Sequence, residues 1–317
     1  MKKIILDLDT GVDDSLAIAY ALGSPELELI AITGTYGNVV LPLGMKNSLQ
    51  ITELLGHPEV KVFPGVPHSE ATDGFETLEI SKFIHGQNGI GDITLPEPSR
   101  EAESTPAVDF IIEAAHEYGE DLVYVPTGPL TNLAAAIRKH PKLVDELTNV
   151  VLMGGALTTC GNVNGWSEAN ISQDPEAADF VFRSGMRTTM IGLDVTLQTL
   201  LTYKETKQWR DTGTEAGKFM ADMTDYYIKA YETTAPDLGG CGLHDPLAVA
   251  VAIDPTLVTT FDINLKVDTD GATRGRTIGD TTRLNDPVKT TKVAIDVDVP
   301  RFLSEFMDRI GRAIVNA

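Results

Sequence analysis

Near the N-terminus a short apolar run, Ile4-Ile5-Leu6, leads straight into four carboxylates, Asp7, Asp9, Asp13 and Asp14, set around Gly11. The run has the character of a strand buried on both faces, and residues 16–22 carry a helical apolar spacing. The acids therefore fall in a strand-to-helix turn. In an open α/β sheet such turns lie at the carboxyl edge, where ligands bind. Carboxylates this close repel one another and are costly to bury without compensation, while Gly11 lets the backbone turn tightly around a compensating charge. Oxygen donors alone point to a hard divalent cation, Ca²⁺ or Mg²⁺. Helix capping would explain Asp13 or Asp14. It leaves out Asp7 and Asp9, which alternate with apolar residues at the strand's end.

The remainder alternates in the same way. Residues 28–35, 60–63, 122–125, 149–153 and 187–193 read as strands, and 43–55, 107–117, the stretch from Asn132 to His140, 203–210, 216–231 and 300–314 as helices. Further strand-like runs cover 261–267 and 291–297. Alternation of this kind implies βαβ units. The expected fold is α/β, with one open, mostly parallel sheet, helices on both faces, and a single domain over residues 1–317. Residues 65–104 lack periodicity and are expected to form a lid or binding loop.

Composition excludes several classes of function. A formal charge of −21 argues against nucleic-acid polymers, which need basic surfaces. Lys2 and Lys3 run directly into the acids, with no apolar segment for a signal peptide or membrane span, so a cytoplasmic protein without a membrane partner is expected. The only cysteines, Cys160 and Cys241, read as free thiols.

Other local patterns carry chemistry. Thr127, between Pro126 and Gly128 in a strand-to-helix turn, can offer its carbonyl to a hard cation, although from the local residues alone ordinary turn chemistry is the favoured explanation. Asn162, Glu168 and Asn170 place amides and a carboxylate in one polar stretch, which suits sugar hydroxyls. His244-Asp245-Pro246 opens an apolar helix with a proton donor beside a carboxylate. Tyr226, Tyr227 and Tyr231 recur at helical spacing, more usual for core than for pocket. Gly213 to Lys218 does not make a phosphate loop, because the glycines are one residue too close and Phe219 stands where Ser or Thr is needed.

An EF-hand counted from Asp7 fails, with Gly11 at the fifth position and Ile18 at the twelfth. Haloacid-dehalogenase-like phosphatases also begin with Asp-x-Asp after a strand, but the Asp13-Asp14 pair is foreign to them. Asp-x-Asp-x-Gly-x-Asp-Asp resembles the signature of the calcium-dependent nucleoside hydrolases of the inosine-uridine-preferring type, with Thr10 where those enzymes usually have Pro. The likeness extends in order through His85-Gly86-x-x-Gly89, Pro126 to Asn132, Met153-Gly154-Gly155, Gly161-Asn162 with Glu168-x-Asn170, His244-Asp245-Pro246 and Gly275-Arg276-Thr277.

That resemblance implies a Rossmann-like nucleoside hydrolase fold and hydrolysis of the N-glycosidic bond of ribonucleosides. It implies Ca²⁺ held by Asp9, Asp14, Asp245 and the Thr127 carbonyl, with Asp9 as base and His244 as the acid for the leaving base. Asp13, Asn38 and Asn170 would bind the ring hydroxyls, Asn162 and Glu168 the 5′ hydroxyl, and His85 and Met153 would line the substrate pocket. A homodimer or homotetramer is the family habit. The competing readings are a Mg²⁺-dependent phosphatase with Asp7 as nucleophile and a non-catalytic nucleoside or ribose binder. Nothing in the stretches after Gly65 and Tyr231 encodes a preference for purine or pyrimidine.

Overall fold

The computed structural model describes residues 1–317. Its strands are β1 (Lys2–Leu8), β2 (Leu27–Gly34), β3 (Lys61–Phe63), β4 (Leu122–Pro126), β5 (Val150–Met153), β6 (Thr188–Ile191), β7 (Leu200–Leu201), β8 (Cys241–Gly242), β9 (Val258–Ile263), β10 (Leu265–Val267), β11 (Thr277–Gly279) and β12 (Thr291–Val297). Eight of them form one sheet in the order β3-β2-β1-β4-β5-β6-β12-β9. Every neighbouring pair is parallel except β12 with β9, so the mostly parallel α/β sheet expected from the alternation is present. The first six strands follow the doubly wound order, whose switch point lies between β1 and β4. Ligands are expected outside the carboxyl ends of those two strands.

The burial of β1 explains its composition. Ile4, Leu6 and Leu8 join the core on one face of the sheet and Ile5 the core on the other, as a period of two requires. Helices Val12–Leu22, His244–Ile253 and Val299–Val315 cover the first face, while Ala107–Tyr118, Thr131–Lys139 and Pro175–Arg183 cover the second. Phe302 and Phe306 are spaced to share one helical stripe and lie against Tyr20, the Phe306 ring stacked at 6.1 Å. Burying each such ring contributes about 2–3 kcal/mol.

Three sequence expectations change. Residues 261–267 do not form one strand, because the chain leaves the large sheet after Ile263 and pairs Leu265–Val267 with β11. Asn264 marks the break. Its side chain donates to the Val288 carbonyl and accepts from the Thr290 amide, which ties the switch to the neighbouring connection. Strand β6 ends at Ile191, and Leu193 and Asp194 already belong to a helical turn, Leu193–Thr196. Within residues 65–104 lies a helix, Glu79–His85. It lacks an apolar stripe: Leu78 at its N-cap and Ile80 and Phe83 within it are exposed, and only Ile84 of its apolar side chains packs against the core. No helix of the chain is long and apolar enough to cross a membrane.

Candidate active site

The acid-rich turn follows β1 and so stands at the switch point. Asp7 is still part of the strand and turns toward the second core. Its Oδ1 accepts from Thr33 Oγ1 at 2.6 Å and from Asn132 Nδ2 at 2.7 Å, and it lines no part of the cavity described below. A nucleophile must reach its substrate, so the phosphatase reading based on Asp7 has no support.

Asp13 and Asp14 occupy the first turn of helix Val12–Leu22, and Asp245 the first turn of helix His244–Ile253. Oxygens of these three side chains lie within 4.8 Å of one another, all buried. Asp9 sits beside them, fully buried. The Asn38 amide N–H donates to Asp9 Oδ2, and the Asn38 side chain donates to Asp14 Oδ2 at 3.1 Å. Gly37 makes that approach possible, since a Cβ there would come within 2.0 Å of Asp9 Oδ2. Thr127, just past β4, donates its hydroxyl to Asp14 Oδ1 at 2.9 Å, and its carbonyl accepts from Asn170 Nδ2 at 2.7 Å. A carbonyl has a second lone pair, so it keeps a donor site for a cation.

The electrostatics of this cluster call for a cation. Asp9 Oδ1, Asp13 Oδ1 and Asp245 Oδ2 are buried without a hydrogen-bond partner. No lysine or arginine pairs with the cluster, and the nearest basic group is His85, whose Nδ1 lies 3.8 Å from Asp13 Oδ1. His85 brings no charge: burial pulls its imidazole down to about 4, and Nδ1 accepts the Val12 amide N–H at 3.1 Å, leaving Nε2–H as the donor. Burial pushes Asp13 up to about 6, and burial with repulsion from neighbouring acids pushes Asp14 up to about 6 and Asp9 and Asp245 well up. Two helix N-termini face the cluster and offset part of this charge. Buried orphan oxygens on an all-oxygen donor set fit a hard divalent cation.

Above the cluster opens a cavity of about 250 Å³. Asp13, Asn38, Thr127, Met153, Asn170 and Asp245 line the end nearest the acids, and Asn162 and Glu168 also border it. Much of Glu168 is committed to the backbone: it caps helix Ala169–Gln173 and accepts from the amides of Gly155, Asn170 and Ile171. Asn162 is exposed, with its Oδ1 taken by the Ala169 amide at 3.0 Å. The remaining wall is aromatic, with His85, Tyr227, Tyr231 and His244. His244 is held at both ends, Nδ1 at 2.8 Å from Thr196 Oγ1 and Nε2 at 2.7 Å from Tyr231 Oη. Tyr231 in turn lies 3.4 Å from Tyr227 Oη, which donates to Asp13 Oδ2.

Residues 4–304 match the family model described as inosine-uridine preferring nucleoside hydrolase. The chain belongs to this family. It is 38% identical over 315 residues to the inosine-uridine preferring nucleoside hydrolase of Leishmania major, covering 98% of each chain. It is 35% identical over 316 residues to the probable uridine nucleosidase 2 of Arabidopsis thaliana, covering 98% of this chain and 97% of that one. Among solved structures, a purine-preferring ribonucleoside hydrolase from Gardnerella vaginalis is 71% identical with a TM-score of 0.99 over the whole of both chains.

As a nucleoside hydrolase the chain is an enzyme that cleaves the N-glycosidic bond of ribonucleosides. The family is metal-dependent, in keeping with the buried acid cluster. The structure gathers the residues that the resemblance assigned to the site around one cavity or directly beneath it, with Asp9 and Asp14 beneath, while Asp7 and Tyr226 stay outside it. It also adds Thr196, to which no local pattern pointed. Tyr227 and Tyr231, whose spacing suggested core, are buried and partly buried respectively and face the cavity as well.

Proposed function

We propose that this hydrolase binds Ca²⁺ and acts on ribonucleosides with a preference for purines. The observation that carries the metal is the set of orphaned, buried carboxylate oxygens with no cationic side chain nearby. Asp9, Asp14, Asp245 and the Thr127 carbonyl would hold the ion, and Asp13 is close enough to share in the site. Bound there, the cation would make water more acidic and draw in the vicinal hydroxyls of a ribose. The purine preference rests on 71% identity to a purine-preferring enzyme, against 35–38% to relatives named for uridine or inosine-uridine. The same reading takes the enzyme to be cytoplasmic and, on family habit, a homodimer or homotetramer.

Breaking the C1′–N bond develops positive charge on the sugar and negative charge on the base. Asp9, with a free buried Oδ1, takes the proton of the incoming water. Asp13, Asn38 and Asn170 fix the ring hydroxyls, and the anionic neighbourhood favours the cationic sugar. Asn162 and Glu168 border the 5′ end. His244, oriented by Thr196 and Tyr231, passes a proton to the departing base; burial holds its free imidazole down at about 4, so it takes up that proton from solvent as negative charge develops on the base, while the neutral His85 offers Nε2–H to the base. A nucleoside binder would need no such pair on opposite sides of one bond.

Hydrolysis of inosine, adenosine, uridine, cytidine and 2′-deoxyinosine, followed by reducing-sugar release, tests this reading. The purine ribonucleosides should give the highest kcat/KM. Loss of the 2′ hydroxyl should cost roughly 10⁴-fold, since a polar site left unfilled discriminates strongly. Comparable values for inosine and deoxyinosine would remove the diol from the mechanism, and a pyrimidine lead would reverse the assigned preference.

A further inference from the structure

Away from the cavity, three helices bring His116, His140 and Glu146 together. His116 is in the last turn of Ala107–Tyr118, His140 closes Thr131–Lys139, and Glu146 ends Leu143–Glu146. His116 Nε2 lies 2.9 Å and His140 Nε2 2.8 Å from the same oxygen, Glu146 Oε2. The two rings meet edge to face with centroids 5.0 Å apart. None of the three residues lines the active-site cavity.

We propose that this triad is a second metal site, for a divalent transition cation of borderline softness, with Zn²⁺ the best match. Two imidazole nitrogens and one carboxylate oxygen, one atom from each side chain within 4.8 Å of the others, form a three-ligand set that leaves a fourth position to water. Tetrahedral Zn²⁺ with bonds of ~2.0–2.1 Å sets its ligand atoms about 3.3–3.4 Å apart. The present N–O separations need to open by only about half an ångström to admit the ion. The side chains can make that move and the metal can enter, because they are 52%, 27% and 29% exposed. Donor chemistry separates the two sites: nitrogen ligands favour Zn²⁺, Ni²⁺ or Cu²⁺, whereas the acid cluster offers only oxygen. The ligands come from three helices that pack against one another, so a bound ion would staple them together and raise Tm.

The test is a calorimetric titration of the enzyme with ZnCl₂ in excess Ca²⁺, which keeps the acid cluster occupied. The wild type should take up one Zn²⁺ equivalent that the double variant His116→Gln/His140→Gln does not, and Zn²⁺ should raise Tm only in the wild type. X-ray absorption at the zinc edge should show nitrogen and oxygen neighbours at ~2.0–2.1 Å. Both histidines lie outside the catalytic and binding machinery, so nucleoside hydrolysis by the variant, unchanged from wild type, verifies that it folds. If wild type and double variant take up the same number of equivalents, or if the absorption data show oxygen ligands alone, the triad is a hydrogen-bonded cluster and the proposal falls.

Discussion

Asp14 carries more of the site than any other side chain. It accepts from the Gly11 amide at 2.8 Å, from Asn38 and from Thr127, and it still faces Asp13 and Asp245. Asp14→Ala should abolish tight Ca²⁺ binding and activity together, because the cation loses a principal ligand and the groups that Asp14 orients lose their anchor. Calcium titration by calorimetry should then be flat, and an unchanged isotherm would strike Asp14 from the ligand set. His244 makes a different claim. General acid catalysis is worth about 10²- to 10⁴-fold, so His244→Ala should lower kcat on the preferred nucleoside by that factor. p-Nitrophenyl riboside, whose phenolate leaves without a proton, should be nearly unaffected. Equal losses on both substrates would make His244 a support for the site and shift the acid to Tyr231, its partner at 2.7 Å.

Secondary-structure elements aim these residues. The helices that begin at Val12 and His244 pack against each other on one face of the sheet, so Asp13, Asp14 and Asp245 converge from first turns far apart in sequence. By the core on the other face of the sheet, the connection between β11 and β12 is pinned by Asp280. Its carboxylate accepts from the Thr282 amide and hydroxyl and from Arg283 Nε at 2.8 Å, with Arg183 close by. Burial pushes this carboxyl up, but those hydrogen bonds and the Arg283 charge outweigh it and hold it down at about 2. A carboxyl held below its ordinary value stabilises the fold while ionised. That contribution is complete at neutral pH and is lost as pH falls from about 4 toward 2. Asp280→Asn should therefore lower the urea midpoint at pH 7, and the gap to wild type should narrow by pH 3. A gap that stays constant with pH would mean that Asp280 acts through shape and not charge.

Taken as a whole, the molecule carries a net −21 and concentrates part of its acidity in a buried cluster. Without a cation, Asp9, Asp13, Asp14 and Asp245 are held above their ordinary range, mainly by burial. The sign is opposite to that of Asp280. A carboxyl raised in the fold costs stability as pH climbs through its folded value, here near 6 for Asp13 and Asp14. A bound cation removes that cost. Chelation should therefore lower Tm more at pH 8 than at pH 5, as scanning calorimetry with and without chelator would show. Equal drops at both pH values would mean that the acids are compensated in some other way.

Local chemistry made much of this protein readable from sequence. Strand β1 announces itself by Ile4, Ile5 and Leu6, and the turn after it by Gly11 and its acids, because neighbouring residues alone decide period, turn and charge. His244-Asp245-Pro246 likewise marks a helix start wherever the helix lies. Other features depend on what the chain meets. The helix Glu79–His85 has no stripe to betray it, since it borders a cavity mouth, leaves Ile80 and Phe83 exposed and turns only Ile84 of its apolar side chains to the core. The strand over residues 261–267 breaks at Asn264 because its two halves find partners in different sheets. Thr196 matters only because the fold places it 2.8 Å from His244 Nδ1. Sequence alone determined which residues could bind a hard cation and a sugar. The meeting of Asp245 with Asp13 and Asp14, the withdrawal of Asp7 into a network with Thr33 and Asn132, and the gathering of His116 and His140 on Glu146 were decided by tertiary structure. The reason is physical: strand order and helix packing set distances between residues remote in the chain, and no local preference encodes them.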